Sequence, residues 1–406
     1  MLICPLVRFQ VQTYLSLSID EYNLQTAELP RLPPLSTLPL PILCSSVRHM
    51  VVRVVNIGSM VHAGDILTRI DLILSQLPGL AELELQFFDA PNPQYHRVHA
   101  FTPTWLIEHG LPSVTSRPQG VLRELRVTNA TIRQVNYVQL QLIVSILARC
   151  TGLLSLHLGP RIGGVLPCAA DIAPYTQSTA SEAIIMSALE GIALNSLGFG
   201  WVPFALASAL LGGPRKTTLR TLAIQSPMYT NGMVRDQPAQ ISWLPSLLSR
   251  INGLSSISTL IITPPDTWLI RSFVEVVPAM WTMPSLRRIR IGFSVLSEIV
   301  LEAYKAHRLP ELTGLMRVTT LELLCGSPNG IGQRSLPYAL QKLAETIEED
   351  RRHKINGLVL REILLAFPLR LATRTNPDVL DPDVSYLRGV CMAKRIELRI
   401  VVESTD

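Results

Sequence analysis

His96, His99 and His109 stand close together in the stretch PNPQYHRVHAFTPTWLIEHG. The H-x-x-H spacing would hold a metal ion if a third histidine or a carboxylate joined it. No carboxylate lies at ligand spacing, and Pro93 and Pro103 break any helix that could align the rings. The histidines therefore read as polar groups on a proline-rich loop, and no metal or other cofactor is expected. Six cysteines at 4, 44, 150, 168, 325 and 391 are too far apart for a C-x-x-C pair. That argues against a zinc site and a dense disulfide framework, and favours a reducing compartment. The chain has no G-x-S-x-G elbow, no phosphate-binding P-loop and no G-x-G-x-x-G after a strand, so catalysis is not expected.

Two further groups could carry chemistry. Glu345, Glu348, Glu349 and Asp350 precede Arg351, Arg352, His353 and Lys354, an order the helix dipole and i,i+4 pairing both favour. They read as the solvated end of a helix over 336–354. The last group is interleaved with leucines: Glu82 and Glu84, Glu124 and Arg126, Ser155 and His157, then Arg288 and Arg290, Thr320 and Glu322, and Arg395, Glu397 and Arg399. Small or neutral residues, Gly198, Thr221 and Thr259, occupy the middle. Taken by type alone, the series drifts from acidic to basic along the chain. It predicts a surface that binds a partner of complementary charge, with Glu82, Glu84, Arg126, His157, Arg288, Arg290, Glu322, Arg395 and Arg399 as the contact positions.

The elements that must position these residues are a repeated apolar-x-x-apolar-x-apolar unit. The stretch CTGLLSLHL supplies Leu153, Leu156 and Leu158. Earlier copies are Val47, Met50, Val52; Leu80, Leu83, Leu85; and Leu122, Leu125, Val127. Later ones are Leu194, Leu197, Phe199; Leu219, Leu222, Ile224; Ile257, Leu260, Ile262; Leu286, Ile289, Ile291; Val318, Leu321, Leu323; and Leu360, Ile363, Leu365. A looser copy, Ala393, Ile396, Leu398, closes the series. Successive copies lie 25 to 42 residues apart.

Before several copies comes a turn containing Gly79, Gly152, Gly253 or Gly357, and before that a helical pattern such as DILTRIDLILSQLPG. The unit is thus helix, turn, short strand, loop. One strand with one helix cannot bury its apolar face alone, so the units must stack. Parallel strands need a crossover and the helix provides it. About ten strands at ~4.8 Å spacing make a wall about 50 Å long, with leucines inward and the residues between them outward.

The bulk numbers agree with a folded chain: of 406 residues, 48% are hydrophobic and 17% charged. The net charge is +5, carried by 31 arginines and only five lysines. No basic block is long enough to track phosphates, so nucleic acid is not the expected partner. Residues 191–214 carry no charge, but Asn195, Ser196, glycines at 198, 200, 212 and 213, and prolines at 203 and 214 break them up. A strand, LNSLGF, followed by a helix, PFALASALL, explains that stretch better than a membrane span does.

The pattern resembles the irregular, long leucine-rich repeats in the substrate-recognition part of divergent fungal F-box proteins, over about 45 to 405. The resemblance implies an α/β solenoid with parallel strands on the concave face and helices on the convex face. It also implies binding of a partner protein through the concave face, substrate recognition in a ubiquitin ligase, and a cytoplasmic or nuclear location. Two departures matter. The family's asparagine slot holds Phe88, Ala130, Arg161, Val202 and Pro227. The F-box is also not recognisable, which puts docking to a Skp1-type linker in doubt. Residues 1–45 are read as a Pro-rich segment or remnant, and 46–406 as an irregular solenoid of about ten strand–helix units. The competing readings are a hydrolase-like α/β enzyme and a basic nucleic-acid-binding solenoid using Arg288, Arg290, Arg395 and Arg399.

Overall fold

The computed structural model describes residues 14–20, 48–55, 79–88, 122–131, parts of 144–150, 152–161, parts of 186–201, 204–213, 215–225, 254–263, 283–292, 318–324, 336–349, 359–368 and 382–403. The chain divides into two compact units. The first holds strands β1 (Tyr14–Asp20), β2 (His49–Val55), β3 (Glu82–Phe88), β4 (Glu124–Thr131), β5 (Ser155–Arg161) and β6 (Ser196–Trp201), with helices α1 (Phe204–Leu211) and α2 (Arg215–Thr218). The second holds β7 (Thr221–Gln225), β8 (Thr259–Thr263), β9 (Arg288–Gly292), β10 (Thr320–Leu324), helix α3 (Leu336–Glu349), β11 (Glu362–Pro368), helix α4 (Pro382–Lys394) and β12 (Glu397–Glu403).

Within each unit the strands run parallel and lie side by side in chain order. The sheet is open and does not close into a barrel. Register follows the leucines. Leu83 pairs with Leu125, Leu125 with Leu156 and Leu156 with Leu197. Leu222, Leu260, Ile289, Leu321 and Ile363 form the same row in the second unit. These residues are 0–1% exposed, so the strands that carry them bury this row completely. Burying a leucine or isoleucine side chain is worth about 1.5–3 kcal/mol, and stacking in register lets every repeat collect it.

The strand starts are stitched the same way throughout. The carbonyl of the residue before one strand accepts two successive N–H groups from the next. Ala81 and Glu82 donate to Arg48, Leu154 and Ser155 to Arg123, Ser258 and Thr259 to Arg220, and Arg287 and Arg288 to Ser258.

Arginines satisfy carbonyls in the turns that precede the strands. Arg48 donates to the Gly79 carbonyl at 2.7 Å, Arg123 to Gly152 at 3.2 Å and Arg220 to Ser256 at 3.2 Å. In each case an arginine just before one strand satisfies a turn carbonyl three residues before the next.

The array differs from the sequence reading at both ends. β1 lies inside 1–45, the segment assigned to a Pro-rich remnant, and pairs with β2 through Leu15–Met50 and Leu17–Val52. Its apolar alternation is intact, but the first position of its triplet is Gln12 rather than an apolar residue. At the far end the expected copy Ala393, Ile396, Leu398 is two residues out of register. Leu398 pairs with Ile363 and Ile400 with Leu365, because α4 continues to Lys394 and delays the strand. The expected helix over 336–354 is described over Leu336–Glu349, with Leu340, Leu343, Ala344 and Ile347 buried. The uncharged stretch 191–214 forms β6 and α1, as a strand followed by a helix. Among the described residues no helix is long and apolar enough to cross a membrane.

Candidate binding face

The side chains between the buried leucines lie in two rows on the opposite side of the strands. In the first unit, Glu82, Glu124 and Ser155 pair across neighbouring strands, and so do Glu84, Arg126, His157 and Gly198. The register thus brings together four positions that the sequence named: Glu82, Glu84, Arg126 and His157. Arg126 Nε donates to Glu124 Oε1 at 2.5 Å, and His49 Nδ1 lies 3.0 Å from Glu82 Oε2. The Glu124 hydrogen bond, with help from Glu82 and Glu84, holds the Arg126 guanidinium above its ordinary pKa. His157 is half-buried, and burial followed by the charge of Arg126 pushes its imidazole below the ordinary histidine range. A histidine so placed is a neutral donor–acceptor near pH 7. Three glutamates face one arginine here, and Glu82 stands beside Glu124, an arrangement that leaves net negative charge on the face.

In the second unit Arg288, Thr320, Glu362 and Glu397 share one row, and Arg290, Glu322, Leu364 and Arg399 the other. Glu322 is 4% exposed and takes two arginines: Arg288 Nη2 at 2.6 Å and Arg290 Nη1 at 2.9 Å. Arg399 Nε donates to Glu397 Oε1 at 2.6 Å and lies 3.5 Å from Glu362 Oε1. These contacts, Glu397 first, raise the Arg399 pKa. Glu362, which the sequence reading did not name, supplies the missing acid. The basic end expected from residue types is therefore neutralised pair by pair.

Arg395 is not on this face. It follows α4 with φ 59° at the residue where the helix turns off. Arg395 N–H donates to the Met392 carbonyl at 3.2 Å and Ile396 N–H to Cys391 at 2.8 Å, the Schellman pair that closes a helix.

One charged residue that no pattern flagged is Arg215, only 1% exposed. Its guanidinium donates to the carbonyls of Leu189 at 2.6 Å, Ala209 at 2.8 Å and Ile192 at 3.2 Å. Nε has no partner among the described residues, and burial lowers the pKa. Arg215 ties the last turn of α1 to the turn before β6.

No group of three or more histidines, cysteines and carboxylates able to hold a metal occurs among the described residues, and His96, His99 and His109 lie outside them. Cys150 and Cys391 are buried and form no disulfide among the described residues. Burial pushes the Cys391 thiol up to about 11, away from the range of a nucleophile. No family model matches the chain, and no curated protein matches it.

Proposed function

We propose that this chain is a non-enzymatic protein-interaction scaffold of leucine-rich-repeat type. Its strands line a concave face, its helices cover the convex side, and a partner protein docks on the concave face. The observation that carries this reading is the register. It puts one charged or polar side chain per strand, Glu84, Arg126 and His157, into a continuous row opposite a fully buried leucine row. Partial exposure of Glu82 (48%), Arg126 (51%), Arg288 (48%) and Arg399 (56%) makes these groups reachable. The unbroken chain order supports it further, since an open α/β enzyme places its ligand where the strand order reverses. By resemblance to the F-box proteins, the scaffold is the substrate-recognition half of a ubiquitin-ligase adaptor working in the cytoplasm or nucleus.

Affinity capture with the full chain tests this, comparing wild type with E84Q/R126A and with R288A/R399A. A partner recovered by wild type and reduced about tenfold by at least one face variant supports docking there, since a few central residues dominate interface energy. Equal recovery by all three chains removes the face from the argument. Co-recovery of a Skp1-type linker would support the ligase assignment.

A further inference from the structure

The residues just before the strands of the second unit alternate between a long cation and a short hydroxyl. In strand order β7 to β11 they are Arg220, Ser258, Arg287, Thr319 and Arg361. The hydroxyls turn back to the preceding arginine's own backbone: Ser258 Oγ donates to the Arg220 carbonyl at 3.2 Å and Thr319 Oγ1 to the Arg287 carbonyl at 2.8 Å. They therefore stay low between the arginines, which are all exposed. Arg220 spends one nitrogen on the Ser256 carbonyl. Arg287 and Arg361 make no ion pair or side-chain hydrogen bond among the described residues. This row is separate from the face discussed above, where Arg288, Arg290 and Arg399 already hold glutamates.

We infer that this rim binds an acidic peptide in polyproline II conformation, with a carboxylate at every third residue. The arginines recur at every second strand, and strands lie about 4.8 Å apart, so the guanidinium stems repeat at about 10 Å. A polyproline II helix has three residues per turn and a rise of about 3.1 Å, so residues i, i+3 and i+6 return to one side about 9.3 Å apart. A fully extended peptide offers nearly the same length over three residues but alternates sides, so its third residue points away. Neighbouring phosphates of a nucleic acid strand advance only about 3.4 Å along a duplex axis, and single-strand binders add aromatic stacking platforms. No aromatic residue stands in this row. The alternation also gives meaning to the preference for arginine over lysine: a planar fork holds a carboxylate with two hydrogen bonds.

Fluorescence anisotropy with labelled peptides tests it on the full chain. One peptide is five repeats of Glu-Pro-Pro, and the other places five glutamates at alternate positions among prolines. The expected result is salt-sensitive binding of the first, at least fivefold tighter than the second. R287A/R361A should weaken it about tenfold, since it removes two exposed charge pairs. R287E/R361E should instead bind the Lys-Pro-Pro analogue, a gain of function that misfolding could not produce. Equal affinity for the two acidic spacings, or for wild type and R287A/R361A, overturns the proposal. So does arginine-dependent binding of a 15-nucleotide oligouridylate tighter than that of the peptide. None of these arms touches the concave-face residues, so their failure leaves the scaffold reading standing.

Discussion

Among the described residues each unit buries one formal charge, and the two are handled in opposite ways. In the first, Arg215 has no acidic partner among the described residues and is held by the carbonyls of Leu189, Ile192 and Ala209. In the second, Glu322 is clamped by Arg288 and Arg290, both partly exposed. The difference is one of purpose. Arg215 satisfies carbonyls that a helix end and a turn leave without donors, so it belongs to the framework. Glu322 sits among residues that reach solvent, and holds two guanidinium groups in place on the strand face. A buried cation held chiefly by backbone carbonyls, with the Met186 sulfur 3.7 Å away, must be matched by fixed geometry, whereas a carboxylate between solvated arginines can lose one and keep the other.

Replacing Arg215 tests the first half. Arg215→Met keeps the volume and removes every donor, leaving three buried carbonyls unsatisfied. At about 1–3 kcal/mol for each orphaned group after relaxation, a loss of about 3–4 kcal/mol is expected, read as a lower urea midpoint. Because the interaction is buried, that loss should change little between low and high salt. Glu322→Gln tests the second half. It keeps the shape and weakens both ion pairs, but water reaches the arginines, so the cost is about 1–2 kcal/mol and shrinks as salt rises. A salt-dependent Arg215 effect, or a larger loss at Glu322, would erase the distinction.

The repeat was legible because burial acts on every copy alike: Leu83, Leu125, Leu156, Leu260 and Leu321 all stand at the same register and are all buried. The ends were less legible. β1 carries Gln12 where the triplet wants an apolar residue, yet strand pairing needs only the alternation of Leu15, Leu17 and Ile19. At β12, Ile396 suits the triplet spacing but is used to close α4. On the face, residue types were readable and their pairing was not. Glu322 and Glu362 neutralise arginines from neighbouring strands 34 and 37 residues away, a relation fixed by register alone. Arg215, between Gly-Gly-Pro and Lys-Thr-Thr, fits no periodic pattern, since its partners are three backbone carbonyls and the sulfur of Met186.

The helix ends extend the comparison to a smaller effect. α1 in the first unit is followed by Gly213 at φ 60°, and α4 in the second by Arg395 at φ 59°. The same left-handed backbone is thus occupied once by the residue that adopts it freely and once by a residue with a Cβ. That conformation costs an L-residue roughly 1–2 kcal/mol, and glycine gives back part of the gain by loosening the unfolded chain by about 0.4–1 kcal/mol. Arg395→Gly should therefore raise stability by about 0.5–1 kcal/mol. Arg395→Ala, which keeps the Cβ, should leave it nearly unchanged, and Gly213→Ala should lower it by about 1 kcal/mol. Denaturant midpoints of the three variants decide the matter. If Arg395→Gly and Arg395→Ala shift the midpoint equally, the guanidinium and not the backbone sets the energy at that position, and the two helix ends are not equivalent.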